Sequence, residues 1–420
     1  MPKRHKIKHY HSHSSTFRAK PHPLATVVGV ILLVALIVVG ISLYRPVYDM
    51  IMNTQPQDDT PASSLPAASV GEPSALQPQP VAEPEPPEPP QELRGVYAPH
   101  ATVSDPLAFA IFLQSLAGTD INAVMVDIKN AQGQVLFESS NPDAQKWGAV
   151  VADAFDLQKI AKTLEEHGLA LIVREWAFRD ETAARGDRKN AIHYIGSEML
   201  WLDNAAQAGG KPWLNPYSRG TQDYISALAV EAAEAGAKLV VLEAVQFPDN
   251  SNMGNTDFGP DAASASRQQV LRSFMADITA ALREKGVRTS VYFPAVAAVQ
   301  AQSEMRYGGS PLLIANELAL VGALPQQFWN GFSAEGLEIR LPLQDPAATA
   351  KTALEYCQKA LEQANRTQTA LIPLLQGGPE PGTSGMDYTA EQIKAQITAA
   401  AELGLREYIL YHTVGAYALS

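Results

Sequence analysis

Carboxylates recur where apolar runs of this chain end. LVVLE (239–243) takes four aliphatic residues straight into Glu243, and NAVMVDIK (122–129) closes on Asp127 and Lys129. A lone charge taken out of water costs several kcal/mol, so Glu243 is either paired or set at the wet end of its strand. Two carboxyl groups flanking an acetal can hydrolyse it. One, with a raised pKa, protonates the leaving oxygen; the other is a nucleophile or a base for water. Glu243 is the candidate acid, because Val241, Val245 and Phe247 would wall it with apolar groups that disfavour its charged form. Asp127 is the candidate partner, with Asp249 and Glu175 in reserve. A structural Asp127–Lys129 pair competes with a catalytic role for Asp127.

Sugars are held by flat aromatic faces together with planar hydrogen-bonding groups. Trp176, Trp201, Trp213, Tyr217 and Trp329 fall at strand ends or in loops suited to this, and at most two of them are expected to touch a ligand. Asn215-Pro216-Tyr217 is a turn signal first and a ligand contact second. Other chemistries find little support. His412 has no H-x-x-x-H or E-x-x-H companion, so no metal site is expected, and no motif calls for a cofactor. There is no G-x-S-x-G elbow, and Cys357 sits within a helical pattern without a nucleophile's surroundings. GGPEPGTSG (377–385) lacks the Lys-Ser/Thr of a phosphate loop and reads as a rim loop.

These side chains need a scaffold that gathers distant strand ends. From Leu93 onward, short β-rich runs (GVYA, NAVMVDIK, LALIVREWAF, KLVVLEAVQF, VRTSVYFP, PLLIANELALVGA, TALIPLLQ, REYILYHTV) alternate with helix-like stretches. Several of those stretches end in Gly just before the next strand, at Gly118, Gly168, Gly236, Gly286 and Gly404, where a left-handed helix C-terminus favours it. Seven or eight such units in about 330 residues predict a (β/α)8 TIM-type barrel. A doubly wound open sheet is the alternative, but no G-x-G-x-x-G follows any strand. In a barrel the C-terminal strand ends build the active face. Asp127 and Lys129 would share it with Arg174 and Glu175, Glu243 and Gln246, Tyr292, Gln376, Tyr411 and His412.

The N-terminal quarter has another character. Residues 1–24 hold six Lys/Arg and no acid, and 25–44 are twenty residues without a charge. Twenty helical residues span roughly 30 Å, about a bilayer core. A cleaved signal peptide would have a shorter apolar run and an A-x-A-like site soon after it, so an uncleaved anchor is expected, with the basic tail in the cytoplasm and all that follows Tyr44 outside. Residues 55–91 hold eleven prolines among Ala, Ser, Gln and Glu, a composition that favours an extended stalk, so 45–92 reads as a linker and 93–420 as the barrel. The tail histidines (His5, His9, His11, His13) belong to a solvated basic segment. Net charge is −12 and the first 24 residues carry +6, which leaves −18 on the rest, a field that disfavours nucleic-acid partners.

Several stretches together resemble a bacterial family of glycoside-hydrolase-type domains of unknown function with a barrel fold. LRGVYA resembles its opening strand, and INAVMVDIKNAQGQVLF its N-A-V-V-I-D-V-K segment with the following turn. LIVREWAFRD is similar to its I-A-R-x-x-x-F-K-D run, WLNPYSRGTQDYISALAVEAAEAG to its W-x-(N/D)-P-Y-S stretch, LVVLEAVQFP to I-Q-F-D-Y-V-R-F-P, and IPLLQ to P-W-L-Q. The matching positions are Asp127, Lys129, Arg174, Trp213, Asn215, Pro216 and Tyr217. On the fourth strand Glu243, Ala244 and Gln246 stand where that family has Asp, Tyr and Arg, and ALPQQFWNGFS replaces its M-V-Y-P-S-H-Y. The resemblance implies hydrolysis of a cell-wall or surface polysaccharide. Glu243 and Asp127 would be catalytic, and Lys129, Arg174, Trp213, Asn215, Tyr217, Gln246, Gln376 and His412 would contact substrate. The altered fourth strand leaves a second outcome open, a barrel without turnover that binds carbohydrate or serves as a scaffold.

Overall fold

The computed structural model describes residues 92–419 except 251–252, 300–302, 329 and 379–387. The basic tail, the apolar segment 25–44, nearly all of the proline-rich stretch, Trp329 and most of the 377–385 loop lie outside the described residues. Among those described, no helix is long and apolar enough to cross a membrane.

Eight parallel strands close on themselves: β1 (Arg94–Ala98), β2 (Ala123–Lys129), β3 (Ala170–Trp176), β4 (Leu239–Glu243), β5 (Arg288–Pro294), β6 (Leu318–Gly322), β7 (Ala370–Gln376) and β8 (Tyr408–Tyr411). Each pairs with its neighbours in chain order, and β8 returns to β1 at Val96↔Leu410. Helices α1 (Pro106–Leu116), α2 (Leu157–Glu166), α3 (Arg219–Glu234), α4 (Arg267–Arg283), the short α5 (Ser303–Tyr307), α6 (Pro346–Gln363) and α7 (Ala390–Glu402) lie on the connections. The chain is a TIM-type barrel, as its rhythm predicts.

Local chemistry explains the helix limits. Asp105 accepts from the backbone N–H groups of Leu107 and Ala108 to start α1, with Pro106 in the first turn where a missing N–H costs nothing. Ser266 with Gln269, and Thr389 with Gln392, form reciprocal capping boxes at α4 and α7. The five glycines that precede strands all take positive φ.

Alternation along the strands separates two apolar layers. Met125, Ile172, Val241, Leu320, Leu374 and Ile409 fill the barrel interior. Val124, Val126, Val173, Val240, Leu242 and Leu410 face out and meet helix residues such as Ile225, Leu228, Phe274 and Leu354.

Two runs are shorter as strands than their apolar length suggests. β4 stops at Glu243 because Ala244 turns into the left-handed region, φ 56°. The sixth run forms a 3-10 turn at Pro311–Leu313 before β6 begins at Leu318. The long insertion after β3 makes antiparallel bridges within itself (Ala191↔Leu214, His193↔Leu200, Leu202↔Pro212). It also pairs His193–Tyr194 with Thr256–Asp257 of the loop after β4, so one continuous wall stands over the β3–β4 rim.

Candidate active site

The same alternation that fills the barrel with Met125, Ile172 and Val241 brings Asp127, Arg174 and Glu243 inward two residues later. Register completes the alignment: Asp127 lies beside Arg174, and Glu243 beside Trp176. Arg174 sends Nε to Asp127 Oδ1 at 2.6 Å and Nη2 to Oδ2 at 3.0 Å, a two-pronged pairing that only a guanidinium can make. Its Nη1 lies 3.1 Å from Glu243 Oε2. The Tyr97 hydroxyl donates to Asp127 at 2.8 Å, and the guanidinium sits over the Tyr97 and Tyr411 rings at 5.0 and 5.5 Å. Tyr292 faces the same space and accepts from Gln327 Nε2 at 3.0 Å. Gly322 leaves it room, since a Cβ there would come within 2.7 Å of the Tyr292 hydroxyl.

One cation therefore serves two nearly buried carboxylates. Burial raises the Glu243 carboxyl to about 7, with Asp127 pushing the same way and Arg174 and Arg179 opposing. Burial alone would lower the pKa of Arg174, but Asp127 and Glu243 hold it well above the usual guanidinium value. Tyr97 and Tyr292 are driven up, chiefly by burial, and stay protonated. The left-handed Ala244 ends the strand at the acid and stores roughly 1–3 kcal/mol of backbone strain, a cost found where function fixes a conformation.

Glu243 opens on a cavity of about 660 Å³. Trp176 and Arg179 from the end of β3, Asp203, Lys211 and Trp213 from the insertion, Gln246 and Asp249 after β4, Tyr292, and Arg306 and Tyr307 of α5 line it. Several polar wall groups have a support. The Trp213 indole donates to Asp203 at 3.0 Å, Tyr307 donates to Gln246 at 2.9 Å, Lys211 meets Glu181 at 2.7 Å, and Arg306 pairs with Asp249. A protonated carboxyl beside indole faces and planar amides is equipped to hold a sugar and deliver a proton to it. No three His, Cys, Asp or Glu side chains are grouped to hold a metal among the described residues.

Of the residues expected at the mouth, Glu243, Trp213, Gln246 and Tyr292 line the cavity, while Arg174 stands against Glu243 and is held by Asp127. Lys129 does not join Asp127. A bulge between the two shifts the register, so that Lys129 pairs with Glu175 and its ammonium leaves the barrel interior. There it lies 3.4 Å from Glu175, 3.1 Å from Asp180 and 4.8 Å over the Tyr224 ring of α3, with no solvent exposure. Glu175, by alternation an outward residue, is confined to that buried triad. Asn215 donates to the Phe258 carbonyl and caps the turn at the Tyr217 N–H, and the Tyr217 hydroxyl donates to the Ala265 carbonyl. Gln376 is 1 % exposed and bonded to Gly378 and Gln396, and His412 accepts from the Val414 N–H. None of these lines the cavity. Trp201 is fully buried, so of the described tryptophans proposed for sugar contact Trp176 and Trp213 face the space.

Sequence reasoning missed Arg179, Asp203, Lys211, Arg306 and Tyr307. Arg179 alone carried a signal, being the cation two residues past Ala177 in the REWAFRD run; the others lie in irregular segments whose placement depends on the insertion's bridges.

Solved structures similar to this chain include the glycoside hydrolase domain of PgaB (BpsB) from Bordetella bronchiseptica, 14% identical with a TM-score of 0.51 over 77% of this chain and 95% of that one. A hypothetical protein from Ruminiclostridium thermocellum is 25% identical over 47% of this chain and 96% of its own, TM-score 0.41. A β-N-acetylhexosaminidase from Bacteroides fragilis is 11% identical over 77% and 60%, TM-score 0.47. No curated protein matches the chain. Residues 95–417 match the family described as "Putative glycosyl hydrolase domain", and the chain belongs to that family.

Proposed function

We propose that this barrel hydrolyses glycosidic bonds of a cell-wall or surface polysaccharide, outside a membrane to which residues 25–44 anchor it, with Glu243 as the proton donor. One observation carries the reading: an inward carboxyl, raised to about 7 by burial, opens on a 660 Å³ cavity with an indole from each of two walls. A general acid is effective when its pKa lies near the working pH. The second carboxylate of the scheme falls to Asp249, which lines the cavity. Asp127 is better suited to fix Arg174, since both its oxygens already accept hydrogen bonds. The test is release of reducing ends from wall and surface glycans by the full-length protein. Glu243→Gln is expected to abolish release while circular dichroism stays unchanged; undiminished release would remove Glu243 from the role.

A binding-only barrel is the second reading, favoured by the contact that commits Arg174 to Glu243. It predicts glycan retention without reducing-end release, unaffected by Glu243→Gln and lost in Trp213→Ala.

A further inference from the structure

We infer that the cavity takes an acidic sugar, its oxyanion seated on Arg179 beside the bond presented to Glu243. The inference rests on the carbohydrate reading above and names the class of carbohydrate.

The cavity's charges account for themselves except at one point. Arg306 is paired with Asp249, and Lys211 with Glu181 at 2.7 Å. Asp203 accepts from the Trp213 indole and from the Lys211 backbone N–H at 2.7 Å. Arg174, just behind the wall, is divided between Asp127 and Glu243. Arg179 lines the same space and has no acid partner among the described residues. Its guanidinium is steered by the Trp176 ring, 5.7 Å from the centroid. It is also near enough for its charge to act on the Glu243 carboxyl.

A planar guanidinium held by an indole, and given no hydrogen-bond partner by the described residues, suits a carboxylate or another oxyanion. A neutral sugar would leave the guanidinium donors to water. The acidic character of the whole chain does not forbid an anionic ligand. Screening at physiological salt limits surface charge to about 8 Å, so the local cation decides.

The test is affinity electrophoresis of the full-length protein in detergent micelles. Gels would contain polygalacturonate, alginate or hyaluronan, each beside its carboxyl-reduced neutral product, with dextran sulfate as a separate arm. At least one acidic polymer should retain the protein about tenfold more strongly than its reduced form, and Arg179→Gln should erase that preference while Arg283→Gln keeps it. Arg179-dependent retention by dextran sulfate alone would support the oxyanion seat and assign it to a sulfate ester. Equal retention by acidic and reduced polymers, or a preference that survives Arg179→Gln, would overturn the acidic-sugar inference and leave the carbohydrate reading in place. Retention by no polymer, acidic or neutral, would overturn both.

Discussion

Arg174 and Glu243 meet at 3.1 Å, Nη1 to Oε2, while the other two nitrogens of the same guanidinium are taken by Asp127. The pairing lowers the pKa of Glu243, yet burial outweighs it and the carboxyl rests at about 7. The contact therefore positions the acid without locking it ionised, and the cavity on its other side leaves room for a ligand.

A pH profile of turnover follows. In the proposed role Glu243 must carry its proton to act, so kcat/KM is expected to decline as pH rises through about 7. Glu243→Gln, which keeps shape but has no proton to deliver, should lower kcat by about 10²–10⁴-fold. Initial rates from pH 5 to 9 on the parent protein, and single-pH rates on the variant, check both.

Stability should show the same group. The folded-state pKa of Glu243 lies above its ordinary value of 4.5, so the folded chain holds the proton more tightly than the unfolded one. Its contribution is then greatest below about 4.5, declines as pH climbs to about 7, and is flat beyond. Glu175, raised towards about 8 by burial against the pull of Lys129, adds a decline of the same sign. Glu243→Gln removes the first component. The variant should gain up to about 3 kcal/mol over the parent at pH 8 and almost nothing at pH 4, read from denaturant unfolding at both pH values.

Arg174→Lys tests the shared cation. A lysine cannot reach two carboxylates with a fork of fixed geometry, so either Asp127 or Glu243 is left buried without a partner. A loss of about 3–5 kcal/mol is expected, together with an upward move of the kcat/KM pH limb, since the main charge that lowers the Glu243 pKa is displaced. Unchanged unfolding would contradict the geometry of the three residues.

The barrel was legible because its signals are local and repeated: short β-rich runs alternating with helix-like stretches, and Gly where a helix gives way to the next strand. The meeting of Asp127, Arg174 and Glu243 follows from the period of two applied to neighbouring strands. Lys129 defeated that rule, because a bulge between Asp127 and Lys129 leaves no mark in residue type and reverses the side a residue faces. Asn215, Tyr217, Gln376 and His412 do not line the cavity, for a related reason. A polar residue at a strand end or turn satisfies its own backbone as readily as a ligand, and here each of them bonds to backbone groups. The wall formed by Asp203, Lys211, Arg306 and Tyr307 comes from segments without periodicity, where distant bridges set position.

The buried triad gives a prediction of its own. Lys129→Met leaves Glu175 and Asp180 facing each other in an apolar layer without a cation, at a cost of about 3–5 kcal/mol. Adding Glu175→Leu removes one of the two acids but leaves Asp180 buried without its cation, so only part of the loss should return. Substrate KM is expected to stay within about twofold in the double variant, because the triad lies between sheet and helix. A KM change of tenfold would place Lys129 in the binding site after all.

Trp176 and Tyr217 separate ligand contact from packing. Trp176 is half-buried and faces the cavity, so Trp176→Ala should weaken glycan affinity about tenfold, the loss of roughly 1–1.5 kcal/mol of aromatic contact, with a small change in unfolding. The Tyr217 ring packs on Phe247 and Phe258 and its hydroxyl donates to the Ala265 carbonyl at 3.0 Å, all behind the wall. Tyr217→Phe keeps the ring and removes one hydrogen bond, so about 1 kcal/mol of stability should go while affinity holds. The two variants should therefore move opposite readouts, affinity for Trp176 and unfolding for Tyr217. If Tyr217→Phe weakened binding as much as Trp176→Ala, the ligand would lie beyond the cavity, against the turn that Asn215 and Tyr217 build, and the role given to the two indoles would have to be withdrawn.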